Sequence, residues 1–161
     1  MERVLYSYWR SSAAYRLRIA LNLKGLSYEQ KIINLVKGEQ HSEAYHQLNP
    51  AGLLPTLVDG DNTLGQSLAV LEYLEEEHPE PALLPSGAAD RARVRQLALT
   101  VACEVHPLNN LSILKYLKGE LGVDDEAKLA WYRHWVARGF TAMETILSDG
   151  KAERSCHDDT P

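Results

Sequence analysis

Cysteine is scarce in this sequence: Cys103 and Cys156 are its only two, and they lie far apart. They form no Cys-x-x-Cys motif, which argues against a disulfide framework, a zinc site and a dithiol redox centre. Five of the six histidines also lack metal-ligand spacing, namely His41, His46, His78, His134 and His157. We therefore expect no bound metal and two unpaired thiols in a reducing cytoplasm.

A surplus of positive charge and long apolar runs are also missing. Lys and Arg number 17 against 22 Asp and Glu, so the formal net charge is -5 and nothing favours electrostatic capture of nucleic acid or of an anionic membrane. No apolar run could span a bilayer, and the first ten residues lack the apolar core of a signal peptide. The 161 residues have an ordinary soluble composition and suffice for one large or two small domains.

The first 35 residues predict a β-α-β unit. Residues 4–8 are apolar, β-branched or aromatic, which is typical of a buried strand, and residues 28–35 predict a second strand. Between them, apolar side chains recur at helical spacing over residues 13–24, with Ser11 or Ser12 as the N-cap. A helical crossover of this kind makes the two strands parallel.

The next segment predicts a hairpin followed by a helix. A polar stretch over residues 37–49 indicates a short irregular helix, and residues 53–59 indicate a third strand. Turn residues connect it to a fourth strand at 63–64, so this pair is a β-hairpin. Ser67 is a suitable N-cap for a helix over residues 68–77.

Proline and glycine crowd residues 79–87, which predicts a linker between a domain over residues 1–78 and a domain over residues 88–161. Two apolar stripes at helical spacing make the second domain all-α. The first stripe is Val94, Leu97, Ala98, Val101, Val105 and Leu108, and the second is Leu129, Tyr132, Val136, Phe140, Met143 and Leu147. Two long helices cover little of a domain interface, and residues 156–161 resemble the lead into another helix, so we expect this domain to be truncated.

The pair Ser11 and Ser12 stands where the first strand meets the first helix. The open N–H groups and the positive dipole end of a helix favour an anion there. A serine hydroxyl at this place can donate a hydrogen bond to a thiolate and lower the pKa of the thiol. The alternative is that either serine is only an N-cap.

Two further positions, Leu54–Pro55 and Gln66–Ser67, are weaker candidates for ligand binding. The Leu54–Pro55 bond opens the third strand; it is either a cis bond that presents the backbone of Leu54 to a ligand or an ordinary edge proline. Gln66 and Ser67 stand at a second helix N-terminus, which suits a carboxylate, or they are a simple cap. Their order along one β-α-β-β-α unit is a stronger signal than any one of them.

In the helical half, His106, Asn109 and Asn110 are spaced i, i+3 and i+4 and should share a helix face. Pro107 removes a hydrogen bond within the helix and should kink it beside them. A kink with polar residues directed inward indicates a pocket wall, although a solvated or core histidine is the simpler interpretation.

Taken together, these motifs resemble the zeta class of glutathione transferases, especially its bacterial maleylacetoacetate and maleylpyruvate isomerases. The resemblance rests on SYWRSSAAYRLRIAL at residues 7–21, NP at 49–50, LPTL at 54–57, QSLAVLEYL at 66–74 and HPLNNL at 106–111. It implies a thioredoxin-like α/β N-terminal domain, an all-α C-terminal domain and a homodimer. Ala13 departs from the class, which often has cysteine there, so a thiol must come from glutathione.

The resemblance also implies a site. Glutathione is the cofactor: Ser11 and Ser12 hold its sulfur, and the backbone of Leu54 pairs with its cysteinyl part beside a cis Pro55. The other residues implied to bind it are Gln66 and Ser67 at the γ-glutamyl end, Gln40 or His41 near the glycine end, and Asn109 and Asn110. Arg10, with a fork suited to a carboxylate, and His106 would meet the dicarboxylate substrate.

The implied reaction is the glutathione-dependent cis–trans isomerisation of maleylacetoacetate to fumarylacetoacetate in the breakdown of tyrosine and phenylalanine. Thiolate adds to the conjugated cis double bond, the resulting single bond rotates, and thiolate leaves. Three alternatives stay open: an isomerase of maleylpyruvate, a general glutathione transferase, and a binding protein of the same fold without catalysis.

Overall fold

A computed structural model describes residues 3–148, and the chain divides into two compact units, Met1–Leu83 and Leu84–Pro161. The predicted lead into a further helix at residues 156–161, with Cys156, lies outside the described residues. No helix over the described part of the chain is both long and apolar enough to cross a membrane.

The first unit contains a four-stranded mixed sheet with α-helices. The elements are β1 (Arg3–Ser7), α1 (Ser12–Leu23), β2 (Glu29–Ile32), a 3-10 turn (Glu39–His41), α2 (Glu43–Leu48), β3 (Thr56–Asp59), β4 (Asn62–Gly65) and α3 (Ser67–Glu77). The strand order is β2-β1-β3-β4. The predicted parallel pair β1–β2 and the antiparallel hairpin β3–β4 are confirmed.

The core of this unit is formed by apolar side chains from β1, β3, α1 and α3. Leu5 of β1 lies opposite Leu57 of the antiparallel strand β3, and both are fully buried. Residues one helical turn apart complete the cluster, Leu17 and Leu21 from α1 and Val70 and Leu74 from α3. Burial of each such side chain contributes about 1.5–3 kcal/mol to folding.

A buried ion pair fastens the residues after α3 to α1. The Lys24 side chain is fully buried, and its Nζ donates to Glu75 Oε2 at 2.8 Å and to the carbonyls of His78 at 2.7 Å and Pro81 at 2.9 Å. The amide of Leu83 in turn donates to both carboxylate oxygens of Glu75. Residues 79–83, predicted as the start of a linker, are thus hydrogen-bonded to the first unit.

The described part of the second unit is helical, but its helices differ from the predicted pair. The elements are α4 (Ala88–Leu99), a π-helical segment (Thr100–Val105), α5 (His106–Asn109), α6 (Leu111–Gly119) and α7 (Asp125–Leu147). Residues 88–109 are helical without interruption, as the first stripe predicts, but residues 100–105 are π-helical, close to Pro107, which cannot donate a helical hydrogen bond. The extended backbone of Asn110 then ends α5, and α6 was not predicted.

Helix α7 packs through a face that coincides only in part with the predicted apolar stripe, of which Val136, Met143 and Leu147 are half-buried. Gly139 is its only buried position, and the side chain of Val105 occupies the space that a Cβ at Gly139 would need. The indole Nε1 of Trp131 donates to the carbonyl of Leu108 at 2.8 Å. Three members of the predicted stripe are exposed instead: Leu129, Tyr132 and Phe140.

Candidate functional site

The N-terminus of α1 is built around Ser11. Its Oγ accepts a hydrogen bond from the amide of Ala14 at 3.2 Å, and its backbone is extended, so Ser11 is the N-cap and Ser12 is the first helical residue. Using a lone pair for the cap leaves the hydroxyl hydrogen of Ser11 available as a donor. The predicted cap is confirmed, while the contact of Ser11 or Ser12 with a sulfur stays a prediction.

An open depression of about 290 Å³ lies beside this helix end. It is lined by Trp9, Arg10, Ser11, Ser12, Tyr15 and Arg18. The guanidinium carbon of Arg10 lies 5.6 Å from the centre of the Trp9 ring, and that of Arg18 lies 4.9 Å from the centre of the Tyr15 ring. Two arginines, three hydroxyl-bearing side chains and no acidic side chain make this lining suited to an anion.

The loop before β3 is fixed by buried polar contacts. The Leu54–Pro55 peptide bond is cis, as predicted. The hydroxyl of Tyr45 donates to the carbonyl of Leu53 at 2.8 Å, and Asn49 Nδ2 donates to the same carbonyl at 3.0 Å. Burial raises the pKa of Tyr45, although hydrogen bonds to Thr56 and Asn49 act against this.

The N-terminus of α3 corrects one prediction. Ser67 is not the N-cap but the first helical residue; Gln66 is the cap, with φ of 63° and no hydrogen bond from its side chain to the helix. Left-handed backbone at a non-glycine residue costs free energy and often marks a ligand site. Ser67 Oγ instead accepts a hydrogen bond from Arg16 Nη1 at 2.9 Å.

Gln40 lies in the 3-10 turn and is buried. Its Nε2 lies 2.9 Å from Nε2 of His41, so the two candidate residues contact each other. The other amide atom, Oε1, is buried without a hydrogen-bond partner among residues 3–148. Since buried polar atoms are rarely left unsatisfied, this amide has capacity for one more partner.

The second unit separates the three residues predicted to share a helix face. His106 and Asn109 belong to α5, whereas Asn110 has ψ of 165° and lies outside the helix. Asn110 caps α6 through a hydrogen bond from Ile113 N and donates to the carbonyl of Pro107, so its amide is used within the fold. Both amide atoms of Asn109 are buried with no partner in the described chain, so Asn109, unlike Asn110, has capacity for a further hydrogen-bond partner.

The structure therefore brings together Arg10, Ser11 and Ser12 in one depression and joins Ser67 to α1 through Arg16. Gln40, Leu54 and Gln66 belong to the same unit, while His106, Asn109 and Asn110 belong to the other. Sequence reasoning missed Arg16 and Arg18. The i, i+3 spacing of Tyr15 and Arg18 was the available signal, since such residues are neighbours on a helix.

Residues 5–82 match the glutathione S-transferase N-terminal domain family. A probable maleylacetoacetate isomerase of Vibrio cholerae serotype O1 is 53% identical over 149 residues, which cover 91% of this chain and 69% of the relative. These similarities cover both the sheet-containing unit and most of the helical one.

Two solved structures are also similar. The holo structure of a maleylpyruvate isomerase, described as a bacterial zeta-class glutathione S-transferase, has a TM-score of 0.95 and 48% identity and covers 98% of this chain and 75% of that one. A maleylacetoacetate isomerase from Anaeromyxobacter dehalogenans, with dicarboxyethyl glutathione and citrate in its active site, has a TM-score of 0.82 and 42% identity. The coverage is 99% of this chain and 70% of that one.

Proposed function

Because this chain belongs to the zeta class of the glutathione transferase family, we propose that it isomerises maleylacetoacetate to fumarylacetoacetate with glutathione as cofactor. The observation that carries the proposal is the depression at the start of α1. There the N-cap hydroxyl of Ser11 and the guanidinium of Arg10, which contacts no carboxylate among the described residues, line the same space. A hydroxyl donor there can hydrogen-bond to the glutathione sulfur, and a guanidinium can pair with a carboxylate of the substrate.

The residues of the first unit fit glutathione. The left-handed backbone of Gln66 and the buried hydroxyl of Ser67 stand at the N-terminus of α3, where a carboxylate is stabilised by open N–H groups. The unsatisfied Oε1 of Gln40 has capacity for an amine or amide donor. We assign Gln66 and Ser67 to the γ-glutamyl end, the backbone of Leu54 beside Pro55 to the cysteinyl part, and Gln40 to the glycine end.

Bound glutathione supplies the thiolate that adds to the cis double bond and leaves after rotation. Ser11, or Ser12 beside it, donates a hydrogen bond to the sulfur and, with the dipole of α1, holds the thiol pKa below its usual range. Arg10 binds a carboxylate of the substrate and keeps the double bond within reach of the sulfur. His106 and Asn109 of the second unit are assigned to substrate and cofactor on their motif and, for Asn109, on its unsatisfied amide.

Maleylpyruvate is the second candidate substrate. It is favoured by the 48% identity to a maleylpyruvate isomerase, which lies close to the 53% identity to the probable maleylacetoacetate isomerase. Comparison of kcat/KM for the two substrates distinguishes them, because their chains differ between the ketone and the distal carboxylate.

We also propose a cytoplasmic homodimer with domains over residues 1–78 and 88–161 joined by a linker over 79–87. Support for the location comes from Cys103, which is unpaired and exposed. The dimer is supported by family membership alone. Sedimentation equilibrium of the purified chain tests it, since a single species at the monomer mass of 18.1 kDa contradicts a dimer.

The test of function is the isomerisation of maleylacetone, a substrate analogue, with and without glutathione. We expect turnover only with glutathione, and a loss in Arg10→Ala of about 1.5–3 kcal/mol in transition-state stabilisation, which is the range for a charged hydrogen bond. Arg138→Ala is the matched control, because Arg138 also stacks on an aromatic ring, that of Trp135, but lies in the second unit. Full activity without glutathione, or in Arg10→Ala, contradicts the proposal.

A further inference from the structure

The motif RLR at residues 16–18 places two arginines of α1 in different surroundings. Arg16 is directed to α3, where its Nη1 donates to Ser67 Oγ. Arg18 instead lines the depression at the start of α1 together with Arg10. One arginine of the motif therefore has a structural partner, and the other borders the candidate site.

Arg18 is partly buried and lacks the partner that its burial requires. Its Nε is buried without a hydrogen-bond acceptor, and its guanidinium has no carboxylate within 4.0 Å among residues 3–148. The buried Nε is closed to solvent, so an anionic ligand in the depression would pair with the terminal Nη groups of Arg18, which no carboxylate among residues 3–148 neutralises.

The ring of Tyr15 supports the flat face of the Arg18 guanidinium at 4.9 Å. Stacking of this kind restricts the guanidinium plane but leaves its N–H edge able to pair with a carboxylate. Arg10 is supported by Trp9 in the same manner, at 5.6 Å. The depression thus presents two guanidinium groups, each held by an aromatic ring and neither neutralised by a described acidic residue.

We infer that Arg18 binds the second carboxylate of the substrate, while Arg10 binds the first. This inference rests on the proposed function, which supplies a substrate with two carboxylates. It makes the pair of arginines the reason why the site prefers a dicarboxylate to a monocarboxylate, and it assigns to Arg18 a contact that the motif alone did not indicate.

Three ligands test this by calorimetry without any need for turnover: glutathione, S-(2-carboxyethyl)glutathione with one added carboxylate, and dicarboxyethyl glutathione with two. We expect the unsubstituted chain to bind the third ligand more tightly than the second. In Arg18→Gln this preference should fall by about tenfold or more, the loss expected for one charged hydrogen bond, while the affinity for glutathione is unchanged. Arg18→Lys, which keeps the charge but loses the fork, should retain part of the preference.

Arg138→Gln is the matched control and should leave all three dissociation constants unchanged. If Arg18→Gln leaves the preference for two carboxylates intact, or weakens all three ligands equally, Arg18 has a structural role and the inference is wrong. Failure of the unsubstituted chain to bind glutathione contradicts the proposed function itself, so the two failures are distinguishable.

Discussion

Arg16 Nη1 donates a hydrogen bond to Ser67 Oγ at 2.9 Å and so joins the middle of α1 to the first residue of α3. An accepted hydrogen bond from a cation occupies one lone pair of the hydroxyl and directs its hydrogen away from Arg16. Ser67 is thereby prepared to donate to an anionic group at the start of α3. The contact also holds the start of α3 against α1, and the proposed site depends on both helices.

Removal of the Ser67 hydroxyl should weaken glutathione binding. We expect Ser67→Ala to raise the dissociation constant by about tenfold or more, because a hydrogen bond to a carboxylate is lost. Calorimetry measures this, with Ser148→Ala as the control, since Ser148 is exposed and donates to the carbonyl of Thr145 in the second unit. If the double variant Gln66→Ala and Ser67→Ala binds glutathione with unchanged affinity, glutathione does not bind at the N-terminus of α3.

Two substitutions of Gln66, whose backbone is left-handed, should differ in folding stability but not in glutathione binding. Gln66→Gly and Gln66→Ala both lack the amide, but only glycine adopts φ of 63° without steric cost. We expect the glycine variant to exceed the alanine variant by about 1 kcal/mol in the free energy of unfolding, and both to bind glutathione weakly. Urea denaturation and calorimetry give the two quantities, and equal stability of the variants would show that the backbone is not strained.

The two serines at the start of α1 should differ in their effects. Ser11→Ala removes the N-cap hydrogen bond to the amide of Ala14 and should lower the free energy of unfolding by about 1 kcal/mol, whereas Ser12→Ala leaves that cap intact. Whichever serine donates to the sulfur, its loss raises the pKa of the bound thiol, because the thiolate loses a donor. The thiolate absorbance of bound glutathione against pH reports that pKa, and a midpoint that rises in neither variant limits both serines to a structural role.

Tyr45 should make the fold sensitive to high pH. Burial raises the pKa of this phenol above its ordinary value of 10.0, so the folded state favours the neutral form. Its contribution to stability is complete below about pH 10 and is lost as the pH rises from there through the higher folded pKa. Urea denaturation between pH 8 and 11 should show a steeper loss in the unsubstituted chain than in Tyr45→Phe, whereas exposed Tyr132→Phe should behave as the unsubstituted chain.

The Lys24–Glu75 pair should be strongly coupled. Lys24→Met leaves a carboxylate that is only 8% exposed without its cation, at a cost of about 3–5 kcal/mol in unfolding free energy. Adding Glu75→Leu should recover part of that loss, because no unpaired charge remains, though the carbonyl of Pro81 and the amide of Leu83 still lack partners. Additive losses in the double-mutant cycle would show that the pair does not interact in the folded state.

The α/β half was predictable because its signals are local. Apolar runs with turn residues between them indicated the parallel pair and the hairpin, and serine before the first helix indicated its cap. Gln66 shows the limit of such signals: a glutamine at positive φ is uncommon, so propensity favoured Ser67 as the cap. The hydrogen bond from Arg16 that occupies Ser67 comes from a residue 51 positions away.

In the helical half, periodicity located helices but not their breaks or packing faces. The apolar stripe from Val94 to Leu108 is continuous across the π-helical segment, and the capping signal of Asn110 was interpreted as a helical residue. For α7, the apolar stripe was correct as a pattern, but close approach is set by Gly139, whose missing side chain has no hydropathy signal. The roles of the candidate site residues were assigned from contacts with aromatic rings and from buried polar atoms without partners. The spacing of residues along the sequence reveals neither.

The contacts of Lys24 also determine how a protease would act on the chain. Cleavage requires several residues to be freed from the folded surface, and residues 79–83 are held by hydrogen bonds from Lys24 to Pro81 and from Leu83 to Glu75. The rate of cutting within this segment therefore follows the opening of the first unit rather than the length or composition of the segment. This stretch is rich in proline and resembles an open hinge. Its rate of cleavage nevertheless measures the stability of the sheet and helices of the first unit.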